Sequence, residues 1–422
     1  MKYALPVLNR ERKEKRVNKM AENLTVYTVI HQPQRVKLPA RPIPAGSTPA
    51  KMKDYLFDEE INKYYLNKVD SECYTPAIKM FTELMEQGWK MSLGISMSFI
   101  EQAKKWNPRM LRQLKKMVAH PNLELIGVEP YHSFVFYLDI ELFMTRMKEM
   151  KAELEEFFGK TINVTDTTEM FMSNDVYFAL QKLGFKGAVM DGRPWLLEWR
   201  EPTYLYTHTG QNMKILMRHW GLSDDVGYRF SNRNWAGWPL QSPAYADWLR
   251  DTAGDFVMLG WDFETFGEHH KWDTGIFEFM KSLPGELEKR GIKMANPSEI
   301  IDKFSNSSHT LDAKEFGCTW AGAGGMEFFL GNSAQQAVFR LMHHAFSKAK
   351  LTGSKKLLDI ALRLAQSDNL HLIQWAGRQG QEAEVSAYFT PREWWSLGPD
   401  RLLIEQQRVY INFIRAMDSF VK

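Results

Sequence analysis

Short apolar or β-branched runs recur along the chain at Leu24–Ile30, Met91–Ile95, Leu123–Val128, Ile162–Thr165, Gly187–Met190, Lys214–Arg218 and Phe256–Gly260. Amphipathic stretches lie between several of them, at Pro76–Glu86, Pro108–Val118, Ile140–Phe157 and Asn174–Leu183. Their apolar positions recur three and four residues apart, which predicts helices. Ser242-Pro243 opens a further helix, a capping residue followed by proline in the first turn. Continuous apolar runs alternating with helices predict an α/β fold whose parallel sheet is covered on its outer face. A polar residue follows each run: His31 and Gln32, Ser96, Glu129, Asp166 and Glu169, Asp191, His219, and Asp262. A parallel barrel builds its active site at these carboxyl ends. An open doubly wound sheet would show the same tendency near its switch point. Seven runs that each end on a polar residue favour closure.

Past Phe304 the pattern changes. Ser305-Asn306-Ser307-Ser308 is a polar, linker-like cluster, and Ala334–Lys350, Lys355–Gln366 and Arg401–Phe420 carry helical periodicity. The expected organisation is a basic N-terminal extension at 1–23, a strand–helix domain at 24–304 and a helical domain at 305–422. No internal repeat points to a solenoid.

Two acidic segments carry candidate chemistry. In Phe256–His270 an apolar strand runs into Asp262, Glu264, Glu268, His269 and His270. An extended chain would place Asp262 and Glu264 on one face, where one carboxylate could hold the other protonated. In Asn163–Met172, Glu169 follows a strand among Met and Phe side chains, ahead of a helix capped at Asn174. Two carboxylates on opposed loops are what glycoside hydrolysis requires, with a separation of roughly 5–5.5 Å for retention. The local pattern also admits solvated loop acids, or at Glu169 a carboxylate stabilising a helix entry.

Composition removes several classes. The formal net charge of +3 over 422 residues is too small to make nucleic acid the main partner. Cys73 and Cys318 are the only cysteines, so a disulfide framework and a four-cysteine zinc site are both excluded, and a reducing, cytoplasmic setting fits. His269-His270 and His343-His344 are adjacent pairs without the spacing of a zinc helix, and no phosphate-binding Gly-rich loop or dinucleotide fingerprint occurs, so no metal or organic cofactor is expected. No apolar run reaches the roughly 20 residues of a membrane span. The basic first twenty residues lack an apolar signal core. Aromatics make up 13% of the chain, and many tryptophans, including Trp220, Trp235, Trp238 and Trp261, stand in turn-like segments. Most such rings pack in cores and loops; others could offer flat faces to sugar rings.

Taken together the segments resemble glycoside hydrolase family 57, especially its α-amylase branch. The likeness rests on Ile30-His31-Gln32-Pro33, Gly127-Val128-Glu129-Pro130-Tyr131-His132-Ser133, Thr168-Glu169-Met170, Asp262-Phe263-Glu264-Thr265-Phe266-Gly267-Glu268-His269 and Ser367-Asp368-Asn369-Leu370-His371, in that order. Leu370 and His371 stand where the family commonly has aromatics. The resemblance implies an incomplete seven-stranded (β/α) barrel with a helical domain beside its mouth. It implies a retaining mechanism on α-1,4-glucan oligo- or polysaccharides, with Glu169 as nucleophile and Asp262 as acid/base. His31, Glu129, His132, Asp191, His219, Arg229, His269 and Asp368 are then expected around the sugar, with Trp220, Trp235, Trp238 and Trp261 as stacking platforms. Glucan transfer or branching, or a catalytically silent glucan-binding role, are the alternatives to hydrolysis.

Overall fold

In the computed structural model, residues 19–375 and 391–421 are described, so most of the basic extension lies outside them. The strands are β1 (Asn23–Ile30), β2 (Met91–Ile95), β3 (Leu123–Ile126), β4 (Val164–Thr165), β5 (Gly187–Asp191), β6 (Tyr206–Thr207), β7 (Lys214–Arg218), β8 (Phe256–Asp262), β9 (Lys293–Met294) and β10 (His309–Thr310). The expected runs correspond to β1–β5, β7 and β8. β1 pairs in parallel with β2 and β8, β2 with β3, and β5 with β4 and β7. Two thin seams close the ring: Arg218 of β7 against Met258 of β8, and Gly127, just past β3, against Thr165 of β4. The result is the expected seven-stranded barrel. The short β6, β9 and β10 are accessory, and β6 runs antiparallel to β7.

Both faces of these strands are buried, so their sequences read as unbroken apolar runs, yet the period-2 alternation persists. In β8, Val257, Leu259 and Trp261 join the large core under the helices, while Phe256 and Met258 join a smaller cluster inside the barrel. In β1 the inner positions are Tyr27 and Val29; in β7 Leu216; in β5 Val189. Continuing that inner phase to the carboxyl ends reaches His31, Asp191, Arg218 and Asp262. Parity therefore delivers polar side chains to the barrel axis at its mouth.

The interior is crowded enough to need glycine at two places. A Cβ on Gly94 of β2 would lie 2.6 Å from the Tyr27 hydroxyl. One on Gly260 of β8 would meet Arg218 Cδ at 3.0 Å and Met170 Cε at 3.1 Å. Each absence leaves a path for a polar side chain across the strand.

The expected helices form at Thr75–Glu86, Pro108–Val118, Ile140–Phe158, Asn174–Lys182 and Ser242–Arg250. After Phe304 the chain returns once to the sheet as β10, then crosses the mouth in a loop before helices Ser333–Leu351, Lys355–Leu364, Asp368–Trp375 and Pro399–Ala416. These helices are tied to the barrel loops through residues 365–367. Phe134 N donates to Ala365 O at 2.9 Å and Ser367 N to His132 O at 2.8 Å. The Gln366 side chain exchanges two bonds with the Gln34 backbone, at 3.0 and 2.8 Å. Among the described residues no helix is long and apolar enough to cross a membrane.

Candidate active site

A cleft of about 300 Å³ opens at the carboxyl ends of the strands, lined among others by His31, His132, Glu169, Arg193, Arg218, Asp262, Trp320 and Asp368. Glu169 sits in a 3₁₀ turn after β4, where its φ is 58° and that of Met170 is 51°. Two successive non-glycine residues in the left-handed region cost on the order of 1 kcal/mol or more each, a strain characteristic of functional sites. Surrounding contacts enforce the turn. Thr168 Oγ1 donates to Ser133 O at 2.7 Å, and Thr167 Oγ1 to Phe171 O at 2.6 Å. The loop following β10 pairs with it through Met172 and Cys318, and Trp320 N donates to Glu169 O at 3.1 Å.

The Glu169 carboxylate accepts two hydrogen bonds from outside the barrel: Ser367 Oγ at 2.7 Å on Oε1 and Trp320 Nε1 at 2.8 Å on Oε2. Burial pushes its pKa up to about 7; the two donors favour the charged form, and the nearby Asp368 charge opposes it. Asp262, the last residue of β8, is also pushed up to about 7, by burial, then by the Glu169 charge, with Arg218 pulling the other way. The two acids are thus close enough to interact, and each lies in a water-poor environment.

A charge network underlies Asp262. Arg218 Nε donates to Gly260 O at 2.9 Å and Nη1 to Asp191 Oδ1 at 3.0 Å, while Nη2 donates to Asp224. Arg193 pairs with the other Asp191 oxygen. Beside the acids, His31 and His132 stack with centroids 4.1 Å apart and planes 4° from parallel. His31 Nδ1 lies 2.9 Å from Ser96 Oγ, and Nε2 lies 3.2 Å from Asp368 Oδ2. Burial opposes ionisation of Asp368, but the His31 contact and the surrounding imidazoles keep its pKa below the usual carboxylate range. Burial holds His132 neutral well below the usual imidazole range, His269 at about 3 and His371 at about 4. Uncharged imidazoles suit hydrogen bonding to hydroxyl groups.

Of the residues expected from sequence, Glu169, Asp262, His31, His132, His269, Asp368 and Trp261 border the cleft. Trp261 is only 1% exposed, in the outward phase of β8, with Nε1 bonded to Ser223 O at 2.8 Å; it is packed wall, with no open face. Asp191 lies beneath the cleft and acts on it through the two arginines. Glu129 is fully buried under the mouth: its Oε2 accepts from Tyr131 N at 3.0 Å and Ser133 N at 2.6 Å, shaping the loop that carries His132. His219 caps the helix Trp220–Gly227. Trp220 lies 6.0 Å from Arg193, and Arg229 is bound by Asp225 and Gly221 O. Trp235 lies under Arg229 and against Trp248. Trp238 lines a separate cavity with Phe230 and Phe279. Glu129, Asp191, His219, Trp220, Arg229, Trp235 and Trp238 are therefore outside the cleft wall.

Sequence reasoning passed over Arg218, Arg193, Ser367 and Trp320. Arg218 had a usable signal, because inner-face parity from Leu216 lands on it and not on His219. Trp320 had none: it opens an irregular Gly-rich stretch, and the nearby Cys318 bridge that brings it to Met172 is long-range. Glu264 borders the same cleft as Asp262, though from a 3₁₀ turn and not an extended strand, and its Oε1 accepts from Tyr74 OH at 2.5 Å. Among the described residues, no group of three or more His, Cys, Asp or Glu is arranged to hold a metal ion.

Comparison with known proteins agrees with this geometry. The family model of "Glycosyl hydrolase family 57" matches residues 5–311. A "Putative alpha-amylase" of Methanocaldococcus jannaschii is 32% identical over 360 residues, covering 82% of this chain and 76% of that protein. A 4-α-glucanotransferase from Thermococcus litoralis superposes with TM-score 0.63 at 14% identity over 92% of this chain, which spans 60% of that longer protein. A branching enzyme from Pyrococcus horikoshii gives 0.62 at 14% identity, covering 94% of this chain and 97% of that one. An α-amylase from Thermotoga maritima gives 0.57 at 12%, covering 96% and 95%. Those structural likenesses establish the fold; the family match over most of the chain establishes more. The chain belongs to glycosyl hydrolase family 57 and is a glycoside hydrolase.

Proposed function

We propose that the protein hydrolyses α-1,4-glucans with retention of anomeric configuration, through a glycosyl-enzyme formed on Glu169. The observation that carries this reading is the unequal treatment of two buried, interacting carboxyls. Glu169 is held by two donors that favour its ionised form, which suits attack on the anomeric carbon. Burial and then the Glu169 charge raise Asp262 to about 7, so that acid keeps its proton up to the neutral range and is able to donate to the departing glycosidic oxygen. Once Glu169 is esterified its charge is gone, Asp262 becomes a stronger acid, and as carboxylate it takes the proton of the incoming water. His31, His132, His269, His371 and Asp368 supply hydrogen-bonding groups for sugar hydroxyls around the reacting ring. The relatives' names, an amylase among them, support an α-glucan as substrate.

Incubation with maltoheptaose tests the reading. New reducing ends, with the α-anomer formed first in a proton NMR time course, are expected. Redistribution of chain lengths without new reducing ends would replace hydrolysis by transfer. An unchanged substrate would leave a glucan-binding protein.

A further inference from the structure

The loop that brings Trp320 to Glu169 has a second side. Trp320, Ala321 and Gly322 face the catalytic cleft, whereas Glu315, Phe316, Gly317, Ala323 and Gly325–Glu327 of the same loop wall a separate groove of about 610 Å³. Its opposite wall carries Tyr137 and Trp195. Three large rings thus stand open to solvent around one groove: Tyr137 at 40%, Trp195 at 47% and Phe316 at 83% exposure. Two of them are fixed to the loop by their polar tips. Trp195 Nε1 donates to Ala323 O at 3.0 Å, and Tyr137 OH to Phe316 O at 3.4 Å. An ion pair between Glu198 and Lys314, at 3.8 Å, ties the Trp195 segment to the start of the loop.

From this arrangement we infer that the groove is a second saccharide site, which holds a remote stretch of the same α-glucan chain whose scissile bond lies in the cleft. Three features select this occupant. Rigid, exposed aromatic faces match the apolar faces of sugar rings, and their orientation is set before binding. The charged residues lining the groove are Glu315 and Glu327, which accept hydrogen bonds from hydroxyls and disfavour anionic ligands. The volume falls within the range of small-molecule pockets. Continuity decides the rest, since a loop only a few residues thick separates the groove from the catalytic cleft, and a polymer engaged on one side is held at high local concentration for the other.

The site rests on the α-glucan reading above, and the test separates the two. Trp195→Ala combined with Phe316→Ala removes two platforms without touching a cleft residue. For the double variant, KM on amylose is expected to rise about 5–10-fold, with kcat on amylose and all parameters on an aryl maltoside within twofold of wild type. Native gels cast with glycogen should retard the wild type and not the variant. Trp195→Phe, which keeps a ring but loses the bond to Ala323 O, should recover part of that retardation. Unchanged retardation and KM in an enzyme active on α-glucan would overturn the second site alone. Equal losses on amylose and the maltoside would also overturn it, since the loop would then be acting through Trp320. An inactive wild type that is retarded by glycogen, with a double variant that is not, would keep the groove and sink the hydrolase reading. One neither retarded nor active would overturn both.

Discussion

The barrel and the post-barrel region treat the two central acids differently. Asp262 belongs to the barrel: it ends an inner-phase strand position, and its ionisation is governed by burial and by charges, chiefly Glu169 and Arg218. Glu169 also follows a barrel strand, but both hydrogen bonds to its carboxylate come from beyond residue 310, from Trp320 and Ser367. The barrel therefore brings the acids together, and the later region supplies the two donors that favour the charged form of one of them, Glu169. The anchor at 365–367 also fixes the Ser367 donor: a shift of about 1 Å there would lose its bond to Glu169.

The largest effect should come from removing the acids. Glu169→Gln is expected to lower kcat on maltoheptaose by about 10⁴-fold or more, and Asp262→Asn by about 10²–10⁴-fold. Azide should partly rescue Asp262→Asn with an activated aryl glycoside, because such a leaving group needs no proton; comparable small losses in both variants would make the pair structural. The same substitution has an opposite effect on stability. Asp262 has a folded pKa of about 7 against an ordinary 3.8. Between those values the folded chain holds a proton that the unfolded chain has released, so stability falls as pH rises through the window and stays lowered above it. Asn carries no such penalty. The Tm of Asp262→Asn relative to wild type should therefore climb by several degrees from pH 4 to pH 8; a constant difference would show that Asp262 is not buried as described.

How much of this was legible beforehand follows the same division. The seven barrel strands were readable because two buried faces leave unbroken apolar runs, and both acids because each follows such a run. Asp191 was readable as polar but not as a support for arginines, since its pairing with Arg218 joins the ends of two strands far apart in sequence, and only the contact with Arg193 is local. His219 was preferred to Arg218 because it is the first residue past the run, although the inner phase of Leu216 points to its neighbour. The tryptophans misled most. Trp261 is wall, and Trp235 and Trp238 lie elsewhere, while the ring that bonds Glu169 is Trp320. Nothing local distinguishes a tryptophan that packs from one whose Nε1 meets a carboxylate 151 positions away.

A smaller effect should sharpen the comparison further. Ser367→Ala removes one donor to Glu169 but no group that can react. Because that donor stabilises the carboxylate, its loss raises the Glu169 pKa, so the acidic limb of kcat/KM should move to higher pH while the fold is retained. The loss at the optimum should be about 10–100-fold, in keeping with a hydrogen bond to a charged group worth about 1.5–3 kcal/mol. An unshifted limb would mean that the barrel alone sets the charge on Glu169.

The smallest effect belongs to Trp238→Ala. That ring is 42% exposed in a cavity formed with Phe230 and Phe279, away from both acids. Its loss should leave kcat and KM on maltoheptaose within twofold of wild type. A severalfold rise in KM would instead extend the substrate path toward residues 230–242, making the mouth of the barrel, and not only the later loop, a source of sugar platforms.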